Sequence, residues 1–191
     1  MLMVKKSQSL KINRAAADRV ISFAGLLIAV GLLFASVALI WTSSFIHSQV
    51  SNQLTPQRIF LPEADSPAFK ALSEEDQAAI KPYAGQQVTT GAQAAVFANN
   101  YIAAHIQNIG GGKTYSELST ISRANPEDTA AAAKVESVFR GETLRGTLLT
   151  AYAFDTISVV AKIAAYVAAA LAGVFILLSF LGFHHAKAAR K

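Results

Sequence analysis

The 191-residue sequence contains no cysteine, so disulfide staples, thiolate nucleophiles and cysteine-based metal sites are all excluded, and any part outside a reducing compartment must be held by packing alone. Charge is scarce as well: Asp, Glu, Lys and Arg make up 15% of the chain against 52% hydrophobic residues, too apolar a balance for an ordinary soluble domain. Histidine occurs four times, and two of these, His184 and His185, are adjacent near the C-terminal end. No stretch alternates apolar and polar residues in the manner of a half-buried strand.

The apolar excess lies in two blocks. Ile163–Phe183 is uncharged, and at about 1.5 Å of rise per residue it covers the ~30 Å hydrocarbon core of a bilayer. Val20–Trp41 is the second block, with thirteen Leu, Ile, Val and Phe residues. Its length exceeds the 7–15 residues of a signal-peptide core and it runs on past the small-residue pattern Ala35–Ala38, so it is expected to be an uncleaved anchor. The fold expected is therefore all-α: a basic tail over 1–19, a transmembrane helix over 20–46, a small helical extracytoplasmic domain over 47–155, a second transmembrane helix over 156–183 and a basic tail over 184–191.

The formal charge of +5 is placed where a membrane protein needs it. Lys5, Lys6, Lys11, Arg14 and Arg19 precede the first block and Lys187, Arg190 and Lys191 follow the second, while Thr42–Ala161 holds eight Lys/Arg against eleven Asp/Glu. By the positive-inside rule both termini are cytoplasmic and the protein is a multi-pass component of the cell membrane. This placement removes the case for a nucleic-acid partner and leaves the lipid bilayer as one. Trp41, Tyr166 and Lys162 are the expected membrane-interface residues, Lys162 by extending its stem to the headgroups. Small residues four apart, Gly25/Ala29, Gly31/Ala35 and Ala165/Ala169/Gly173, are the expected surfaces for span packing, against each other or against a second membrane protein or copy.

Between the spans the helix start signals are dense. Thr42–Leu54 extends the first helix by a turn or two, and Pro56, Pro62 and Pro67 hold Gln57–Asp65 extended. Ser66-Pro67 and Ser73-Glu74-Glu75-Asp76 read as N-caps, the latter with acids in the first turn. Thr90/Gln93 and Thr114/Glu117 have capping-box spacing, and Asn125-Pro126-Glu127-Asp128 reads as a further start. Ala95, Ala98, Ile102, Ile106 and Ile109 make one apolar stripe, with Tyr101 at its margin. Gly110–Gly112 stops that helix; Gly110-Gly111-Gly112-Lys113-Thr114 lacks the Walker spacing and reads as C-cap, turn and N-cap. The last helix is expected either as one long element or as two with a bend around Gly141–Gly146.

Four strings, Pro82–Gly91, Ile109–Tyr115, Phe139–Gly146 and Ala151–Phe154, resemble a family of actinobacterial two-span membrane proteins of undetermined role, some of which bear the name "aromatic ring-opening dioxygenase". The resemblance covers roughly Arg58 to Phe183 and implies a fold and a membrane address, with no catalytic residue to carry over. A two-histidine, one-carboxylate iron site would have to use His47 and His105, which lie some sixty residues apart, and His105 is read instead as a helix-flank residue bonded to water or to a backbone carbonyl. Asp155 and Lys162, two turns apart, offer a possible pair at the outer interface. No metal, cofactor or catalytic residue is therefore assigned. The functional expectation is a non-enzymatic structural or accessory subunit whose outer domain docks on a larger membrane or envelope complex, with Arg140, Glu142, Arg145 and Tyr101 as docking candidates. The alternative is a small-ligand sensor that uses the bend at Gly141–Gly146.

Overall fold

The computed structural model describes residues 14–188 and is all-α. Helix α1 (Arg14–Leu54) is followed by a 3-10 turn (Thr55–Gln57), then α2 (Pro67–Lys70), α3 (Glu74–Ile80), a second 3-10 turn (Lys81–Tyr83), α4 (Gly91–Val96), a π-helical segment (Phe97–Ile102), α5 (Ala103–Gly110), α6 (Tyr115–Ala124) and α7 (Thr129–Ala188). No strand occurs among the described residues; Phe60 and Gln87 form one isolated antiparallel bridge between the extended segments beside α2 and α4. Lys5, Lys6, Lys11, Arg190 and Lys191, which the charge reading uses, lie outside the described residues.

α1 and α7 each contain a run long and apolar enough to cross a membrane, and only 11% and 17% of the residues in those runs are buried. The helix of a soluble core would bury most of such a run, so the outward-facing Leu, Ile, Val and Phe side chains fit a membrane protein.

The described residues form two compact units: residues 14–41 with 161–188, and residues 42–160. In the first, the apolar runs of α1 and α7 pack as an antiparallel pair. The buried positions of α1 fall at Ala15, Ser22, Ala29 and Ser36, every seventh residue, and those of α7 at Ala165, Ala168, Ala172, Ser179 and Ala186, three, four or seven apart. A seven-residue period is the mark of a left-handed supercoiled pair, and alanine and serine at the seam let the backbones approach closely. Ser36 Oγ donates to the carbonyl of Ala165 at 2.9 Å, and the rings of Phe23 and Phe183 meet edge to face at 5.0 Å. Of the residues expected in this packing, Gly25, Ala29 and Ala165 are at the seam, and Ala169 is half-buried beside it. Gly31 and Ala35 are exposed, and a Cβ on Gly31 or Gly173 would meet nothing within 4 Å. The rows at four-residue spacing drift off the contact line, which follows the heptad.

The second unit encloses one apolar core, built from Val50 and Leu54 of α1, Leu61, Phe69, Leu72, Ile80 and Val88 of the connecting segments, Ala94 to Ile106 of the central helix, and Leu118, Val138 and Leu148. α1 continues well beyond the turn or two expected, because Val50 and Leu54 carry its buried face into this core. Ser66, Ser73, Thr90 and Thr114 all cap as expected, each accepting from the backbone N–H three residues on; Thr90/Gln93 and Thr114/Glu117 form complete capping boxes. Gly111 stands at φ 61°, and the Gly112 N–H returns to the Gln107 carbonyl at 2.9 Å, so the glycine run is a C-cap followed by the next N-cap.

Two expectations are corrected. The start placed at Asn125 is three residues too early: α7 begins at Thr129, and Asp128 is the cap, its Oδ1 accepting from the Ala131 N–H at 2.9 Å. Asn125 instead closes the end of α6, its N–H bonding back to Ser122. The apolar stripe also shifts, to Ala94, Ala98, Ile102, Ile106 and Gly110, leaving Ile109 exposed. A row every four residues drifts about 40° per step on a regular α-helix; the wider π turns at Phe97–Ile102 absorb that drift and keep the row on the core.

Candidate functional site

Asp155 is the side chain of α7 that ties it to both α1 and α4. It is buried, which obliges its oxygens to find partners. Oδ2 accepts from the Gly91 N–H at 2.9 Å, and Oδ1 lies 2.7 Å from Nδ1 of His47, whose ring N–H donates to it. Ser158 Oγ donates to the Asp155 carbonyl at 2.7 Å. Gly91 is the first residue of α4, so the carboxyl group reaches from α7 to an N–H that its own helix leaves unpaired, at the end where the helix dipole favours an acceptor.

Glycine is required there. A Cβ at position 91 would overlap Asp155 Cβ, approach Oδ2 to 2.9 Å and approach the Tyr152 Cα to 3.0 Å. Thr90 caps the same turn from within, so α4 is fastened both locally and from a helix 64 residues away.

The order of these bonds defines their chemistry. In a nucleophilic triad the histidine stands between serine and carboxylate. Here the carboxyl stands in the middle, and the serine hydroxyl donates to the Asp155 carbonyl at 2.7 Å and more distantly to Oδ1 at 3.4 Å, so it is the carboxyl and not the histidine that stands next to the serine. His105 is elsewhere: its Nδ1 bonds the Tyr101 carbonyl at 2.9 Å and its ring packs on Tyr101, which in turn stacks on Phe97 at 5.0 Å. Among the described residues no three His, Cys, Asp or Glu side chains gather as a metal site. The pairing weighed between Asp155 and Lys162 does not form, since His47 and Gly91 take the carboxyl oxygens.

The docking candidates separate. Arg140 is exposed and pairs with Glu136 one turn back, at 2.6 Å. Arg145 is about one third exposed; it bonds Glu142 at 3.4 Å and the Asn99 side chain at 3.2 Å, which ties α7 to the π segment. Tyr101 is half-buried in its stack. Beside Arg140 the structure brings together a pair that the sequence did not single out, Tyr115 and Phe139, whose exposed rings meet at 5.6 Å across α6 and α7. The i, i+3/i+4 logic of a single helix could not have found it. Of the membrane-interface candidates, Trp41 and Tyr166 are exposed, as is Lys162.

A cavity of about 460 Å³ lies between the post-span part of α1 and α7, lined by Phe45, Ile46, Val50, Leu54, Leu148 and Phe154 together with Gln49, Gln53 and Gln57. No charged residue lines it.

Comparison of the chain with protein-family models, with curated proteins and with solved structures finds no match.

Proposed function

We propose that this is an accessory subunit of a larger complex in the cell membrane, anchored by its two spans with both termini cytoplasmic, and that its helical domain docks outside the membrane through the Tyr115–Phe139 pair and Arg140. The observation that carries this reading is the exposed ring pair itself. Two aromatic side chains from different helices lie in contact and uncovered next to an accessible guanidinium, and aromatic residues with arginine are the groups that dominate binding at protein interfaces. The Asp155 cluster supports the reading by fixing α4 to α7, so that the domain presents a preorganised face.

The experiment is affinity purification of the tagged full-length protein from mild detergent. Co-purification of a stoichiometric membrane partner is expected, and Phe139→Ala with Arg140→Ala should reduce its recovery by about tenfold or more, the loss of a central interface cluster. Recovery of the protein alone and monomeric across several detergents would remove the proposal.

The sensor reading drew on a bend at Gly141–Gly146. α7 is one element from Thr129 to Ala188, and Gly141 is explained by contact: a Cβ there would come within 2.6 Å of Ile106 Cγ1.

A further inference from the structure

We infer that the cavity between α1 and α7 holds one acyl chain of a bilayer lipid. Its walls are of two kinds. Phe45, Ile46, Val50, Leu54, Leu148 and Phe154 offer hydrocarbon, and Gln49, Gln53 and Gln57, spaced four residues apart, offer amide donors and acceptors along one edge. A chain ester needs that combination: apolar surface for the methylenes and neutral hydrogen-bonding groups for its carbonyl. The lining holds no charge, so neither a phosphate nor a free carboxylate is matched inside, and a headgroup belongs beyond the cavity.

Size agrees with a single chain. At roughly 30 Å³ per water-sized group, a volume of about 460 Å³ accommodates some fifteen such groups, which suits one acyl chain and not two. Position agrees as well. Phe45 stands four residues beyond the apolar run Val20–Trp41 in the sequence and Phe154 nine residues before Ile163–Phe183, so membrane lipid is the hydrocarbon solute most available to the site. The inference rests on the membrane reading and is independent of whether the Tyr115–Phe139 surface binds a partner.

The test uses the full-length protein in phosphatidylcholine nanodiscs doped with phosphatidylcholine that carries a mid-chain diazirine, followed by irradiation and mass-spectrometric mapping of the labelled peptides. Labels are expected within residues 45–57 and 147–154 in addition to the spans. Ala151→Trp, which projects an indole into the lining, should lower labelling of those two segments by about tenfold while labelling of residues 20–41 and 163–183 is unchanged, as expected when a chain loses its buried surface at that site alone. Gln53→Lys, at an exposed position of the same wall, should act in the same direction and serves if the tryptophan variant loses its helical circular dichroism. Absence of label from residues 45–57 and 147–154 in the unaltered protein would overturn the inference. So would labelling there that both folded variants leave intact, which would mark lipid at the outer surface.

Discussion

Three glycines of the second unit respond differently to the same added methyl group, and the difference isolates what each position does. Gly91→Ala must displace Asp155 or the backbone at Tyr152, and Gly141→Ala must displace the γ-carbon of Ile106, so each should destabilise the protein by about 1–3 kcal/mol, the usual cost of overpacking. Gly146 faces open space within α7, and Gly146→Ala should stabilise by about 0.5–1 kcal/mol through lower backbone entropy in the unfolded chain. Thermal unfolding of the three full-length variants in one detergent, followed by circular dichroism, checks both signs. A gain at 91 or 141 would contradict the close contacts described. The cost at 141 should also shrink when Ile106→Ala is added, because the γ-carbon that occupies the space is then gone.

At the level of the helices, starts were legible and registers were not. Ser66, Ser73, Thr90 and Thr114 cap the helices they were expected to cap because a cap acts over three residues, a span the sequence states directly. Asn125-Pro126-Glu127-Asp128 holds two cap residues three apart, and the helix starts from the later one. Asp128→Ala should therefore cost about 1 kcal/mol while Asn125→Ala costs little, again by thermal unfolding. The Asp155–His47 contact joins positions 108 residues apart and the π turns at Phe97–Ile102 have no local signature, so neither could be read in advance. The capping box of α6 also makes a pH prediction. The Thr114 backbone N–H and then its hydroxyl hold the Glu117 carboxyl below its ordinary value. A lowered folded-state pKa means that its contribution is present above the unfolded carboxylate range and lost as pH falls through the folded value. Amide exchange at Thr114 should accordingly accelerate in acid relative to a neutral reference amide, and Glu117→Gln should flatten that dependence while keeping a box-forming side chain. Exchange with the same pH profile in both proteins would count against the box.

For the molecule as a whole, sidedness is the property with the most direct assay, and the absence of native cysteine makes it clean. Asp65→Cys is preferable to a cysteine at Ser66, whose hydroxyl caps α2. Labelling intact cells with a membrane-impermeant maleimide should modify position 65 and spare Ala188→Cys. The reverse pattern would invert the topology, and modification of both would mean that one apolar helix does not cross. The spans pose a subtler question of alignment. A seam of alanine and serine repeated every seven residues looks nearly the same after one helix slides by a heptad, about 10.5 Å, so sterics along the repeat alone would leave several alignments close in energy. Glycine breaks that degeneracy. Gly25 lies under Ser179, whose Oγ would stand 2.6 Å from an added Cβ, and Gly182 lies against Ser22 in the same manner. Seven residues to either side of Gly25 stand Asp18 and Leu32, so a slipped pair would drive a carboxylate or an isobutyl group onto Ser179. The non-repeating glycines thus act as a key cut into an otherwise uniform rail, admitting one alignment of the two spans and rejecting its neighbours.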